Sequence, residues 1–211
     1  MPPTAESKES ARLEAFSDGV FAIAITLLVL EIHLPSADTL NDEQMQHYLI
    51  HLWPQLVTYV TSFATIGIIW LNHHSTFVHV QSLDHVTLSL NLALLLTVCF
   101  VPFPTALVAK YGALPSSTAL YGATLTAMGL SYGALWFYTV RQEYRRSPST
   151  APRLTGMTML KGMAGTGAYF LGTLIAFIAP RFSAFLFVSV AIYYAIPGRL
   201  ETARRGTMLS T

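Results

Sequence analysis

Asp18 stands inside an apolar run, "FSDGVFAIAITLLVLEIHLP" (residues 16–35), whose far end carries a second acid, Glu31. An acid within such a run costs about 2.5 to 3.5 kcal/mol on membrane-insertion scales, so Asp18 must face protein or water and find a partner. Polar and aromatic residues cluster in "IIWLNHHSTF" (68–77), with Trp70, Asn72, His73 and His74, and the next run carries Asn91. Two chemistries fit these residues. One is metal ligation, with His79 and His85 completing a four-histidine cluster. Adjacent histidines diverge by about 100° on a helix, however, and helical zinc sites use i, i+4 pairs. The other, favoured, is a hydrogen-bonded network in which His73 or His74 meets Asp18 or Ser17 and Asn91 joins. Titration of these histidines between pH 5 and 8 would then modulate whatever the network holds. Catalysis would need acids, bases or nucleophiles clustered within a run, and the chain offers none away from the histidine end, so no enzyme is expected. The lone Cys99 lies in an apolar run and excludes an intrachain disulfide and a cysteine-based metal site.

The elements that position these residues read as membrane spans. Of 211 residues, 53% are hydrophobic and only 11% charged, against about 25% charged in soluble domains. Six stretches approach the roughly 20 residues that cross a bilayer: about 13–34, 48–71, 86–109, 118–140, 160–179 and 182–196. The expectation is one all-α domain over 1–211, an integral membrane protein with six transmembrane helices. Pro102 and Pro104 kink or loosen the later half of the third span. Pro180 and Arg181 leave almost no loop between the fifth and sixth, which predicts a tight hairpin. With six spans, Lys8, Arg12, Arg141, Arg145, Arg146, Arg153, Lys161, Arg199, Arg204 and Arg205 share one side, and Lys110 and Arg181 the other. That asymmetry places both termini in the cytoplasm and makes 141–159 a cytoplasmic linker facing lipid headgroups. The segment "PSADTLNDEQMQHY" becomes an acidic external loop. The polar start "MPPTAESKESARLEAF" does not read as a cleaved signal peptide. A net charge of +1 carries no basic excess for nucleic acid, and the bilayer is the expected partner.

Within the first span, Phe16, Val20, Ile23, Leu27 and Leu30 share one helical stripe, and Asp18, Ala22, Ile25 and Val29 share the opposite one. The first stripe reads either as the lining of a pore, whose rings form an apolar constriction, or as a lipid-facing or packing face. Periodicity does not choose between them. Gly129 and Gly133 form a G-x-x-x-G pattern, and small residues at 162, 165 and 168 continue it, which predicts close helix packing.

"RLEAFSDGVFAIAITLLVLEI", with Arg12, Phe16, Ser17 and Asp18 in an R-x-x-x-F-S-D pattern, closely resembles the signature of the transmembrane protein 175 family of potassium channels. "IIWLNHHSTF" and "LNLALLLTVCFVPFPTAL" agree with it, so the resemblance covers the first half of the chain, and the later spans agree in number and hydropathy alone. It implies six helices, cytosolic termini, and assembly of single six-span chains as homotetramers in the cell membrane. No T-V-G-Y-G filter string occurs, and none is expected in that family. The resemblance implies a pore lined by the first helix of each subunit, with Ile23, Leu27 and Leu30 at the constriction. It also implies an assembly role for the motif of Arg12, Phe16, Ser17 and Asp18, which agrees with the network read above for His73, His74 and Asn91. No cofactor is implied, and potassium is the permeant ion. An apolar ring offers no ligand to replace lost water, so it favours potassium, which sheds its hydration more readily than sodium. Thr26 is either a pathway hydroxyl or bonded back to the carbonyl of Ala22; Glu31 either concentrates cations at the external mouth or is a plain interfacial acid. A secondary ion transporter or a proton-permeable leak channel is the alternative function.

Overall fold

The computed structural model describes residues 5–32, 41–78, 80, 83–112, 114–146 and 156–196. Helices and turns account for its secondary structure, with no strand among the described residues. In chain order the elements are α1 (Ala5–Leu27) with a 3₁₀ turn at its end (Leu28–Glu31), α2 (Asp42–His51), α3 (Trp53–Phe77), α4 (His85–Phe100), α5 (Pro102–Tyr111), α6 (Pro115–Arg146), α7 (Gly156–Ile175) and α8 (Pro180–Ala195).

Among the described residues, three helical runs, Glu9–Glu31, Trp53–Phe77 and His85–Tyr111, are long and apolar enough to cross a membrane, and Met163–Ile175 and Pro180–Ala195 are shorter apolar helices. Several boundaries differ from those expected. Tyr48 belongs to α2, and the helix that follows starts at Trp53 and runs on through both histidines to Phe77. Pro102 breaks the third stretch at Val101: α4 ends at Phe100, and the proline takes the first position of α5, where its missing N–H costs nothing. Of the expected linker 141–159, residues 141–146 continue α6 and 156–159 open α7; 147–155 lie outside the described residues. Pro180 opens α8 directly after a turn at 176–178. There Ser183 donates to the carbonyl of Gly172 at 2.6 Å and ties the α7–α8 hairpin.

The helices pack with α3 against α1, α5 and α8, and with α6 along α4, α5 and α7. Leu28, Ile66, Leu94, Val98, Leu125 and Phe187 belong to one buried cluster. Lipid is as apolar as leucine, so association among these helices rests on close packing and interhelical hydrogen bonds rather than on apolar burial. Close packing is visible at Phe187. A Cβ added at Gly122 would strike its ring and lie 2.5 Å from the Thr173 hydroxyl, and one added at Gly172 would strike the same ring. The G-x-x-x-G pair splits: a Cβ at Gly129 would collide with Thr166, whereas Gly133 has nothing within 4 Å.

Hydroxyls supply the interhelical bonds. Thr105 donates its one proton to the carbonyl of Val101 at 2.8 Å. Ser62, 2.9 Å away, therefore donates to Thr105, and Tyr121, also 2.9 Å from Ser62, donates to Ser62. The relay ties α3, α5 and α6 around the Val101 break. At the other end of α4, Asp84 caps the helix by accepting from the Thr87 amide at 2.8 Å and receives the Tyr138 hydroxyl at 2.6 Å and Gln142 at 3.0 Å. The Tyr138 hydroxyl and the Thr87 amide hold the Asp84 carboxyl down at about 2, so it is charged at physiological pH.

Candidate functional site

Helix α1 docks on its own subunit through a narrow face. Ser17, Phe21, Ala24 and Leu28 are buried at i, i+4, i+7 and i+11, and they meet α3, α4 and α5. This face lies between the two stripes read from the sequence. Small Ser17 and Ala24 let the neighbouring backbones come near. Outside it, Phe16 is 56% exposed, Ile23 61%, Leu27 42% and Leu30 72%. A single subunit thus leaves these four large side chains bare, while Val20 of the same stripe is half-buried against the core. The α-helix ends at Leu27, and the 3₁₀ turn eclipses residues three apart. Leu30 therefore stands over Leu27 rather than about 60° off it. The Thr26 hydroxyl donates to the carbonyl of Ile23 at 2.9 Å, one residue later in the chain than the Ala22 carbonyl expected. Glu31 closes the turn, half-buried.

Three interactions fasten the other end of α1. The Trp70 indole N–H donates to the Asp18 carboxylate at 2.8 Å. The His74 Nδ1 lies 2.6 Å from the Glu14 carboxylate. In the buried interior, Asn91 donates to the Ser17 hydroxyl at 3.0 Å and its carbonyl oxygen lies 2.8 Å from His73 Nε2. An amide oxygen only accepts, so Nε2 of His73 carries the proton and Nδ1, which is buried without a hydrogen-bond partner among the described residues, is the bare nitrogen. Phe21 and Phe77 flank that imidazole, with ring centroids 5.5 and 4.5 Å away. Ser17 in turn donates to the carbonyl of Leu13 at 2.9 Å.

The structure thus brings together Ser17, Asn91 and His73 in one buried chain linking α1, α4 and α3. It sends Asp18 to Trp70, not to a histidine, and gives His74 a separate partner, Glu14. Arg12 and Phe16 are exposed. Trp70 and Glu14 are the participants that the sequence reading passed over. Their signal was one of register: Glu14 and Asp18 are one turn apart on α1, His74 and Trp70 one turn apart on α3, and the pairs meet in reverse order as antiparallel helices require. A hydrogen bond to a charged group is worth about 1.5 to 3 kcal/mol, which offsets most of the cost of placing Asp18 there. Of the four histidines entertained as a metal cluster, His79 lies outside the described residues, and His73 and His74 are engaged as above.

The site is therefore the property of an all-helical integral membrane protein whose first helix is pinned at one end and bare along its large apolar stripe. The TMEM175 family model, described as endosomal/lysosomal potassium channel TMEM175, matches residues 12–102. A potassium channel of Streptomyces collinus is 38% identical over 190 residues, covering 88% of this chain and 91% of its own. A potassium channel of Chamaesiphon minutus is 36% identical over 194 residues, covering 90% of this chain and 96% of its own. The crystal structure of a lysosomal potassium-selective channel TMEM175 homolog from the latter organism superimposes with a TM-score of 0.76 at 35% identity, covering 89% of this chain and 97% of that one. The chain belongs to the TMEM175 family.

Proposed function

We propose that this protein is the subunit of a potassium-preferring cation channel of the cell membrane, in which four copies place their α1 helices around a shared axis. Each copy spans the bilayer six times with both termini in the cytoplasm. Ile23, Leu27 and Leu30 form the apolar constriction, with the Thr26 oxygen beside the pathway and Glu31 drawing cations to the outer mouth. Relatives named potassium channels over nearly the whole chain support the function. The observation that supports the pore is the bare run of large apolar side chains, Ile23, Leu27 and Leu30, on a helix that docks on its own subunit through a narrow face.

The chemistry follows from what the ring lacks. Leucine and isoleucine side chains offer no oxygen to stand in for hydration water, so an ion crosses by shedding part of its shell or by entering when the constriction wets. Potassium, more weakly hydrated than sodium, loses less. Lining and selectivity are thus one property of the same three residues; Ser17, Asp18, His73, His74 and Asn91 serve assembly by holding α1 at its angle, and exposed Arg12 and Phe16 serve it as contacts between subunits.

Flux from liposomes of purified protein under a potassium gradient, then under a sodium gradient, tests this reading. Wild type is expected to pass potassium faster than sodium, Leu27→Ala to narrow that ratio, and Ile23→Asn to raise flux by wetting the ring. Rates and ratios unchanged in both variants would remove the stripe from the pore. Slow, saturable exchange that requires a second ion would make the protein a transporter.

A further inference from the structure

Helix α2 carries a histidine pair that the channel reading does not use. The spacing His47-x-x-x-His51 puts two imidazoles on one side of the helix, i and i+4, the arrangement by which a helix presents two nitrogen ligands to one metal ion. Both residues are exposed, and their rings lie alongside each other, 4.0 Å between centroids at an interplanar angle of 25°. His51 is already set for ligation. Its Nδ1 lies 2.8 Å from the backbone carbonyl of His47. A carbonyl can only accept, so Nδ1 holds the proton and the neutral ring keeps its free lone pair on Nε2. Metal-binding histidines are oriented in this way, with one ring nitrogen donating to a backbone carbonyl or carboxylate and the other left for the metal.

The platform beneath the pair is firm. Asn41 and Gln44 form a reciprocal capping box, at 2.8 and 3.1 Å, and Gln46 donates to Asp42 at 2.8 Å one turn along. From His51 the chain passes through Leu52, buried, into α3 at Trp53. The helix backbone therefore holds the two residues one turn apart before any ion arrives, and only the exposed imidazoles must turn to converge on it.

The geometry points to His47 and His51 as a binding site for a divalent transition-metal ion of the kind imidazole favours: zinc, nickel or copper. Calcium and magnesium, which take oxygen ligands, are excluded by the donor set. Among the described residues no group of three or more His, Cys, Asp or Glu side chains is placed to hold a metal. Two imidazoles fill two positions of a tetrahedral ion and leave the others for water or further ligands. In the orientation proposed above the site faces the outside, on the segment joining the pore helix to the helix that anchors it.

Isothermal titration of zinc chloride, and separately nickel chloride, into untagged full-length protein in detergent tests the assignment. Wild type is expected to show saturable uptake of both ions and no heat with magnesium chloride. His47→Ala and His51→Ala are each expected to abolish the uptake, while His85→Ala, at an exposed histidine at the start of α4, leaves it intact. Both substituted side chains are exposed, and an unchanged thermal melt identifies variants that still fold. Uptake that survives His47→Ala and His51→Ala, or wild type without saturable uptake, overturns the assignment.

Discussion

Trp70 and Asp18 define what the pinned end of α1 depends on. Trp70→Phe keeps an aromatic ring but strips the proton from a hydrogen bond to a charged acceptor, and the expected loss is about 1.5 to 3 kcal/mol. Asp18→Asn keeps an acceptor oxygen and removes the charge that makes the bond strong, so its loss is smaller. Thermal melts of the detergent-solubilised protein in a double-mutant cycle check this: the double variant is expected to lose less than the sum of the singles. Additive losses would mean that the 2.8 Å contact does not couple the two helices. Much of this network was legible from residue types, because Ser17, Asn91 and His73 are polar groups in apolar runs and such groups seek each other. The pairing was not. An indole near the end of a span reads as part of the aromatic belt at the membrane surface, and Glu14 reads as part of a polar leader. Only the antiparallel register of α1 and α3 tells which acid meets which donor.

Among the elements, proline and capping signals were readable and helix edges less so. Pro102 announced the interruption of the third stretch, and its place at the first position of α5 moved the break to Val101. Asn41 with Gln44 is a capping-box sequence, so α2 was written in a segment that polarity alone marks as loop. The 3₁₀ end of α1 carried no comparable signal, because Leu28–Glu31 has no proline, glycine or cap to mark the tightened turn. Glycine spacing also said less than glycine surroundings. Gly122→Ala, which drives a methyl into Phe187 and Thr173, is expected to cost about 1 to 3 kcal/mol through forced repacking. Gly133→Ala meets open space and is expected to stabilise α6 by up to about 1 kcal/mol through helix propensity. Melting temperatures of the two variants, falling for Gly122→Ala and unchanged or higher for Gly133→Ala, are the measurement; equal shifts would mean that G-x-x-x-G spacing, not the Phe187 contact, sets the packing.

At the scale of the molecule, composition and the positions of lysine and arginine were enough to read an all-helical membrane protein. The face that α1 gives to its own subunit was not readable, since every side of that helix is rich in apolar residues and hydropathy does not separate a packing face from an exposed one. If four α1 helices enclose the pathway, light scattering corrected for detergent is expected to return four times the 23.2 kDa of one chain. A monomer mass under conditions that support flux would break the shared-axis arrangement. The docking face of α1 and its bare stripe are interleaved on one helix yet have no residue in common: Ser17, Phe21, Ala24 and Leu28 on one, Ile23, Leu27 and Leu30 on the other. The bare positions can therefore change one at a time without touching the docking face and, where they line the proposed pathway, leave permeation free to diverge at an evolutionary rate of its own while the scaffold is inherited.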